Sequence, residues 1–218
     1  MNWFTSLNIY CERYGAGFWN EPINALTNLI FILAGFMLVF NTRQNKLCIF
    51  LSLQIILIGV SSFLFHTFAN ILAGLIDTVS IMLFGVTYVF GSNYYLLKLS
   101  TVTSLIIAFC LVPFSFIVSQ LTIMSFGSLN GSTLYLSFII LFVTYSYLIR
   151  KEFAQMSTIL FCSALFLAIS IFFRTIDIIS CNSISVGTHF VWHIMNGLLL
   201  GTLVWGIHQS INLEEKNF

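Results

Sequence analysis

The stretches LIFILAGFMLVF (residues 29–40) and CIFLSLQIILIGV (residues 48–60) decide the fold. Both are apolar on every face, whereas a membrane-barrel strand would alternate apolar and polar residues over about ten positions. A helix needs about 20 mostly apolar residues to cross about 30 Å of hydrocarbon at about 1.5 Å per residue. Working outward from the two stretches, such runs recur at 22–41, 47–67, 71–95, 100–121, 132–149, 156–173 and 187–207. Of the 218 residues, 59% are hydrophobic and 7% charged, where a soluble domain carries about 25% charged residues. That deficit excludes a soluble domain, a disordered tail and a nucleic-acid binder. The net charge of +1 points to no acidic or basic partner. The expectation is an all-α polytopic membrane protein, a bundle of seven transmembrane helices. It would form one domain over 1–218, with a short amino-terminal segment 1–21 and a tail 208–218. The first 20 residues lack a basic region ahead of the apolar run and a small-residue cleavage pattern, so the first span is expected to be retained.

Seven spans put the termini on opposite sides of the membrane. Arg43, Lys46, Lys98, Arg150, Lys151 and Lys216 fall on one side, and Arg13 and Arg174 on the other. The excess of basic residues on cytoplasmic loops then puts the carboxyl terminus in the cytoplasm and the amino terminus outside or in a lumen. The short loops suit a bacterial inner membrane and a eukaryotic endomembrane equally.

Ionisable side chains inside a membrane are costly unless paired or hydrated, so each one is a functional candidate. His66 closes the second run, Asp77 lies early in the third, and His189 and His193 open the seventh. Following the chain back and forth brings all four to one membrane face, whichever way the protein is inserted. His189 and His193 are four residues apart, so their rings share a helix face about 6 Å apart. Such a pair is a common half of a zinc site, and His66 is the other histidine at that depth. Ser62 shares a helix face with His66. Asp77 could accept a proton from water activated by zinc, which lowers the pKa of water to about 7. Taken singly, each residue has a plainer explanation. The histidines could hydrogen-bond between helices, Asp77 could relay protons or pack, and Ser62 could simply pack. Their convergence at one depth favours a catalytic zinc site.

Other features read as structural. Gly197 and Gly201 let a neighbouring helix approach, and Pro113 kinks the fourth run. Asn20, Asn24 and Asn28 line one face for hydrogen bonding between helices. Cys48, Cys110 and Cys162 read as buried small hydrophobes.

Four segments resemble the alkaline ceramidases, part of a wider group of seven-span hydrolases with the progestin/adiponectin-type receptors and Per1-like proteins. They are YCERYGAGFWNEPINALTNLIF (10–31), SSFLFHTF (61–68) followed by Asp77, RTIDIISC (174–181) and GTHFVWHIMNG (187–197). The resemblance implies zinc held by His66, His189 and His193 with Ser62 and Asp77 beside it. It also implies a ceramide-like membrane lipid as substrate, cleaved at its amide to a sphingoid base and a fatty acid. It suggests that Cys11 and Cys181 are bridged, which needs an oxidising compartment.

The sequence also departs from the family. Some animal members carry Asp-Trp before Cys-Glu and a Glu before Phe-Trp-Asn, residues associated with calcium. Here those places hold Ile9, Tyr10 and Gly17, although Glu12 remains and Glu21 follows Asn20. Calcium takes about six to eight oxygens, and too few matched ligands survive to claim it. Three other readings stay open on the same scaffold: a hydrolase of another lipid amide or ester, a lipid receptor with structural zinc, and a proton-coupled transporter.

Overall fold

The computed structural model describes residues 2–15 and 17–215, without the side chains of 214 and 215. Lys216, which entered the orientation argument, and the rest of the tail end lie outside the described residues. Nine α-helices occur among the described residues: α1 (Pro22–Thr27), α2 (Leu29–Asn41), α3 (Lys46–Phe68), α4 (Ile71–Gly91), α5 (Thr101–Phe126), α6 (Leu136–Ile149), α7 (Ala154–Thr175), α8 (Asp177–Ser180) and α9 (His189–Glu215). Six of the helical segments are long and apolar enough to cross a membrane, and Thr133–Ile149 is a shorter seventh. The protein is an all-α integral membrane bundle.

The first span is not one continuous helix. The Asn28 side chain donates to the Asn24 carbonyl at 2.8 Å, and its own N–H turns to the Ala25 carbonyl at 3.3 Å. The side chain thus competes for the ladder and breaks it between α1 and α2. The shorter seventh segment opens with a 3-10 turn, Thr133–Tyr135, before α6. At about 2.0 Å per residue for that turn and about 1.5 Å for the helix, it still reaches about 27 Å. α3 and α4 begin where polar side chains cap the backbone. Asn45 and Asn70 accept from the N–H groups of Cys48 at 3.1 Å and Ala73 at 2.9 Å.

α3 and α9 supply much of the centre, with Leu51, Ile55 and Ile58 of the one and Leu203, Val204 and Ile207 of the other in the same buried cluster. Close approach depends on small residues. A Cβ on Gly197 of α9 would lie 2.5 Å from Ile30 of α2, and one on Gly201 would meet Ala34 at 3.7 Å. Gly35 and Gly59 play the same part between α2 and α3. Between α5 and α6, Ser115 pairs with Ser137 at 2.8 Å and Ser119 with Thr133 at 2.7 Å.

Two expectations need correction. Cys110 and Cys162 are exposed on the outer surface of the bundle, and only Cys48 of the three is buried. Lipid accepts a thiol as readily as a core does, so apolar context does not distinguish the two sites. Asn24 and Asn28 make no bridge between helices among the described residues: Asn24 donates to Glu21 at 3.3 Å and Asn28 back to Asn24.

Candidate metal centre

The amino-terminal segment is fastened over one end of the bundle. Leu7 N–H donates to the Ala69 carbonyl at 2.7 Å, and Ile71 and Leu72 N–H return bonds to Thr5 and Trp3. Both Glu12 oxygens accept from α1, from Ile23 N–H at 2.7 Å and Asn24 N–H at 2.8 Å, which caps that helix. A disulfide joins Cys11 to Cys181, with their Cα atoms 5.3 Å apart. Asp177, fully buried, accepts from Cys11 N–H at 2.9 Å, Thr188 N–H at 2.6 Å and His189 N–H at 2.8 Å. That one carboxylate therefore starts α9 and anchors the segment beside it. Gly187 makes the turn possible, since its φ of +66° suits glycine and a Cβ there would meet Cys11 at 2.5 Å.

Under this cover the ends of α3 and α9 bring His66, His189 and His193 together, all three buried. One ligand nitrogen from each lies within 4.8 Å of the others. Hydrogen bonding assigns two of the rings. Glu21 Oε2 accepts from His66 Nδ1 at 2.6 Å. Thr27 Oγ1 lies 2.8 Å from the Ile23 carbonyl and 3.1 Å from that of Asn24, so its proton goes there. Toward His193 Nδ1, 2.9 Å away, Thr27 therefore accepts.

Both rings carry their proton on Nδ1, and their Nε2 atoms face each other at 3.1 Å. Two lone pairs at that distance repel unless a cation lies by them. Nitrogens held tetrahedrally at about 2.0–2.1 Å from zinc sit about 3.3 Å apart, close to what is seen. The third ring, His189, has a buried Nδ1 with no hydrogen-bond partner among the described residues. Three convergent imidazoles with an orphaned nitrogen are a donor set that fits a divalent metal ion of the zinc type.

The other two candidates lie beside this cluster. Asp77 on α4 is buried and close enough to interact electrostatically with His66 and with Arg174. The Ser62 hydroxyl, one turn before His66, is oriented toward the same carboxylate. Asp77 Oδ1 has no partner within hydrogen-bond distance among the described residues.

The profile of the ceramidase family matches residues 5–217, nearly the whole chain. The chain belongs to the ceramidase family. No individual curated protein matches it. Membership brings with it a hydrolase scaffold for a lipid amide, embedded in the membrane.

The surroundings of this ceramidase-family centre include residues that no sequence motif singled out for a role. Tyr10 stacks on His189 with ring centroids 3.8 Å apart, and burial pushes its phenol well above the ordinary tyrosine range. It is a neutral ring against a histidine face. Arg174 is enclosed by Tyr10, Tyr135 and Trp192, whose ring centroids lie 5.8, 5.4 and 5.1 Å from its guanidinium carbon. Burial alone would raise the Glu21 carboxyl, but its hydrogen bonds to His66 and Arg13 and the guanidinium charge outweigh it and hold Glu21 below the ordinary glutamate range. Glu12 behaves oppositely: burial outweighs its backbone hydrogen bonds and its pKa is raised. Both carboxylates weighed for calcium are thus engaged, Glu12 with backbone amides and Glu21 with Arg13 and His66.

Deeper in the bundle lies an apolar cavity of about 60 Å³ lined by Phe84, Tyr88, Phe138 and Phe142 among others. Tyr135 and Trp192 also line it, so the ring set around Arg174 borders on it.

Proposed function

We propose that this protein is a zinc-dependent membrane amidohydrolase that cleaves the N-acyl amide of ceramide-like lipids to a sphingoid base and a free fatty acid. The observation that carries the reading is the facing pair of Nε2 lone pairs on His66 and His193 with His189 beside them, next to a buried carboxylate. In this reading His66, His189 and His193 are the metal ligands. Zinc would supply Lewis acidity, polarising the amide carbonyl and acidifying water at the site.

The chain's own groups do the rest. Asp77 takes a proton from the attacking water and passes it to the departing amine nitrogen, so that one carboxylate serves first as base and then as acid. Ser62 donates a hydrogen bond to the carbonyl oxygen as negative charge builds there, an electrostatic contribution of about 3–4 kcal/mol in comparable donors. Tyr10 and the disulfide-anchored segment cover the centre and limit water to what the reaction uses. The apolar cavity bordered by Trp192 and Tyr135 offers the acyl chain a continuation into the bundle. Its present volume is below the roughly 300 Å³ of an ordinary ligand site, so its aromatic side chains must move to admit a chain. The asymmetry of lysine and arginine along the sequence supports an extracytoplasmic amino terminus and a cytoplasmic carboxyl terminus.

The reaction is tested by incubating detergent-purified protein with a ceramide, a matched N-acyl ethanolamine and a matched ester, and identifying products by mass spectrometry. Release of sphingoid base and fatty acid in equal amounts from ceramide supports the proposal. Cleavage of another of the three with ceramide untouched would reassign the substrate, and cleavage of none would favour a receptor on this scaffold.

A further inference from the structure

Arg13 is a buried cation in the amino-terminal segment. Each part of its guanidinium has a partner. Nε donates to Glu21 Oε1, Nη1 to the Gly15 carbonyl at 2.9 Å, and Nη2 to the His66 carbonyl at 2.8 Å. The His66 carbonyl lies in the last turn of α3, where the helix leaves its oxygens without internal partners and its dipole is negative. A guanidinium satisfies both conditions. The second oxygen of Glu21 accepts from His66 Nδ1 at 2.6 Å. Arg13 therefore grips His66 twice, through its main chain directly and through its ring by way of Glu21. The Glu21 oxygens meet Nδ1 and Arg13, on the side of the His66 ring away from the nitrogen that faces His193.

We infer that Arg13 and Glu21 are positioning residues that hold the His66 ring with Nδ1–H toward the amino-terminal segment and Nε2 toward His193. Glu21 makes the imidazole a stronger donor and fixes its rotation. Arg13 keeps Glu21 in place. The affinity of the centre for its ion is thereby set from the amino-terminal segment, 45 residues from the ligand it orients. The inference rests on the zinc reading above and deepens it.

The test is the zinc dissociation constant of purified protein, measured by competition with a chromogenic chelator. Glu21→Gln and Arg13→Gln are each expected to weaken zinc about 10- to 100-fold, the usual effect of removing a partner of a metal-bound histidine. Because Arg13 reaches the His66 ring through Glu21, the double variant should be no weaker than the worse single variant within error. Glu21→Asp, which restores the charge with a shorter reach, should recover part of the loss. Wild-type affinity in Glu21→Gln would overturn this inference and leave the metal site standing. Wild-type protein that binds no zinc would overturn both. Should the variants fail to fold, nitrogen-15 spectra of histidine-labelled, zinc-loaded wild type decide the matter. The inference requires His66 bound through Nε2 with its proton on Nδ1, and a metal-bound Nδ1 contradicts it.

Discussion

Asp77→Asn preserves the shape of the side chain and removes the only feature the proposed mechanism needs from it, a carboxylate that can carry a proton. The variant is expected to retain zinc while amide hydrolysis falls about 10²- to 10⁴-fold, the usual worth of a general base. Paired metal analysis and turnover on one sample would check this, and full activity in Asp77→Asn would remove that role. His193→Ala should instead lose the metal itself. Thr27→Val keeps the volume of the side chain but not the acceptor for His193 Nδ1, 2.9 Å away, so zinc should bind more weakly while the fold persists. At this scale the sequence was informative where chemistry was local. The spacing of His189 and His193 made their shared face legible, and the span pattern put His66 at the same end. Glu21 and Thr27 were not legible in their contacts with the rings. Each meets its histidine across a long loop of sequence, 45 and 166 residues away, and nothing in a stretch reading EPINALT announces a partner so distant.

Among the elements, the closest helix contacts are set by glycine rather than by hydrogen bonds. Gly197→Leu would drive a side chain into Ile30, 2.5 Å from where its Cβ must lie, and should destabilise the bundle by about 1–3 kcal/mol. A lowered thermal midpoint in detergent would register this, whereas Gly201→Ala, with ordinary contact to Ala34 at 3.7 Å, should be nearly silent. α6 carries a specificity prediction. Phe138 lies against Gly85 of α4 and lines the apolar cavity, so Phe138→Ala should shift acyl preference toward longer or bulkier chains in a competition assay with mixed ceramides. Unchanged preference would take the acyl chain out of this cavity. Gly197 was readable in advance because a small residue in an apolar helix has few uses other than close packing. The break at Asn28 and the 3-10 start of α6 were not, because a hydropathy run reports how long an apolar segment is and not which side chains compete with its backbone ladder.

For the whole molecule, the length and uniform apolarity of the runs dictated the bundle, since of the two arrangements that satisfy the backbone in lipid a barrel would need alternating strands. What a hydropathy reading could not contain is the cover over the metal end, built by Asp177, Glu12, Arg13 and the Cys11–Cys181 bridge from residues scattered over the chain. The proposed orientation puts this cover outside the cytoplasm, and with the protein expressed in a bacterial inner membrane a cysteine introduced at Phe4 should then react with a membrane-impermeant maleimide in intact cells. Protection there, with labelling after permeabilisation, would invert the topology. The central claim is that a metal held by three histidines makes this chain an amidase. Its most direct measurement is hydrolysis of a labelled ceramide by one purified sample in three states: as isolated with its zinc content determined, after chelation, and after zinc is restored. About one zinc per chain, release of the fatty acid, loss of activity on chelation and recovery on reloading are expected. Ceramide hydrolysis that is undiminished in protein stripped of metal would contradict the claim.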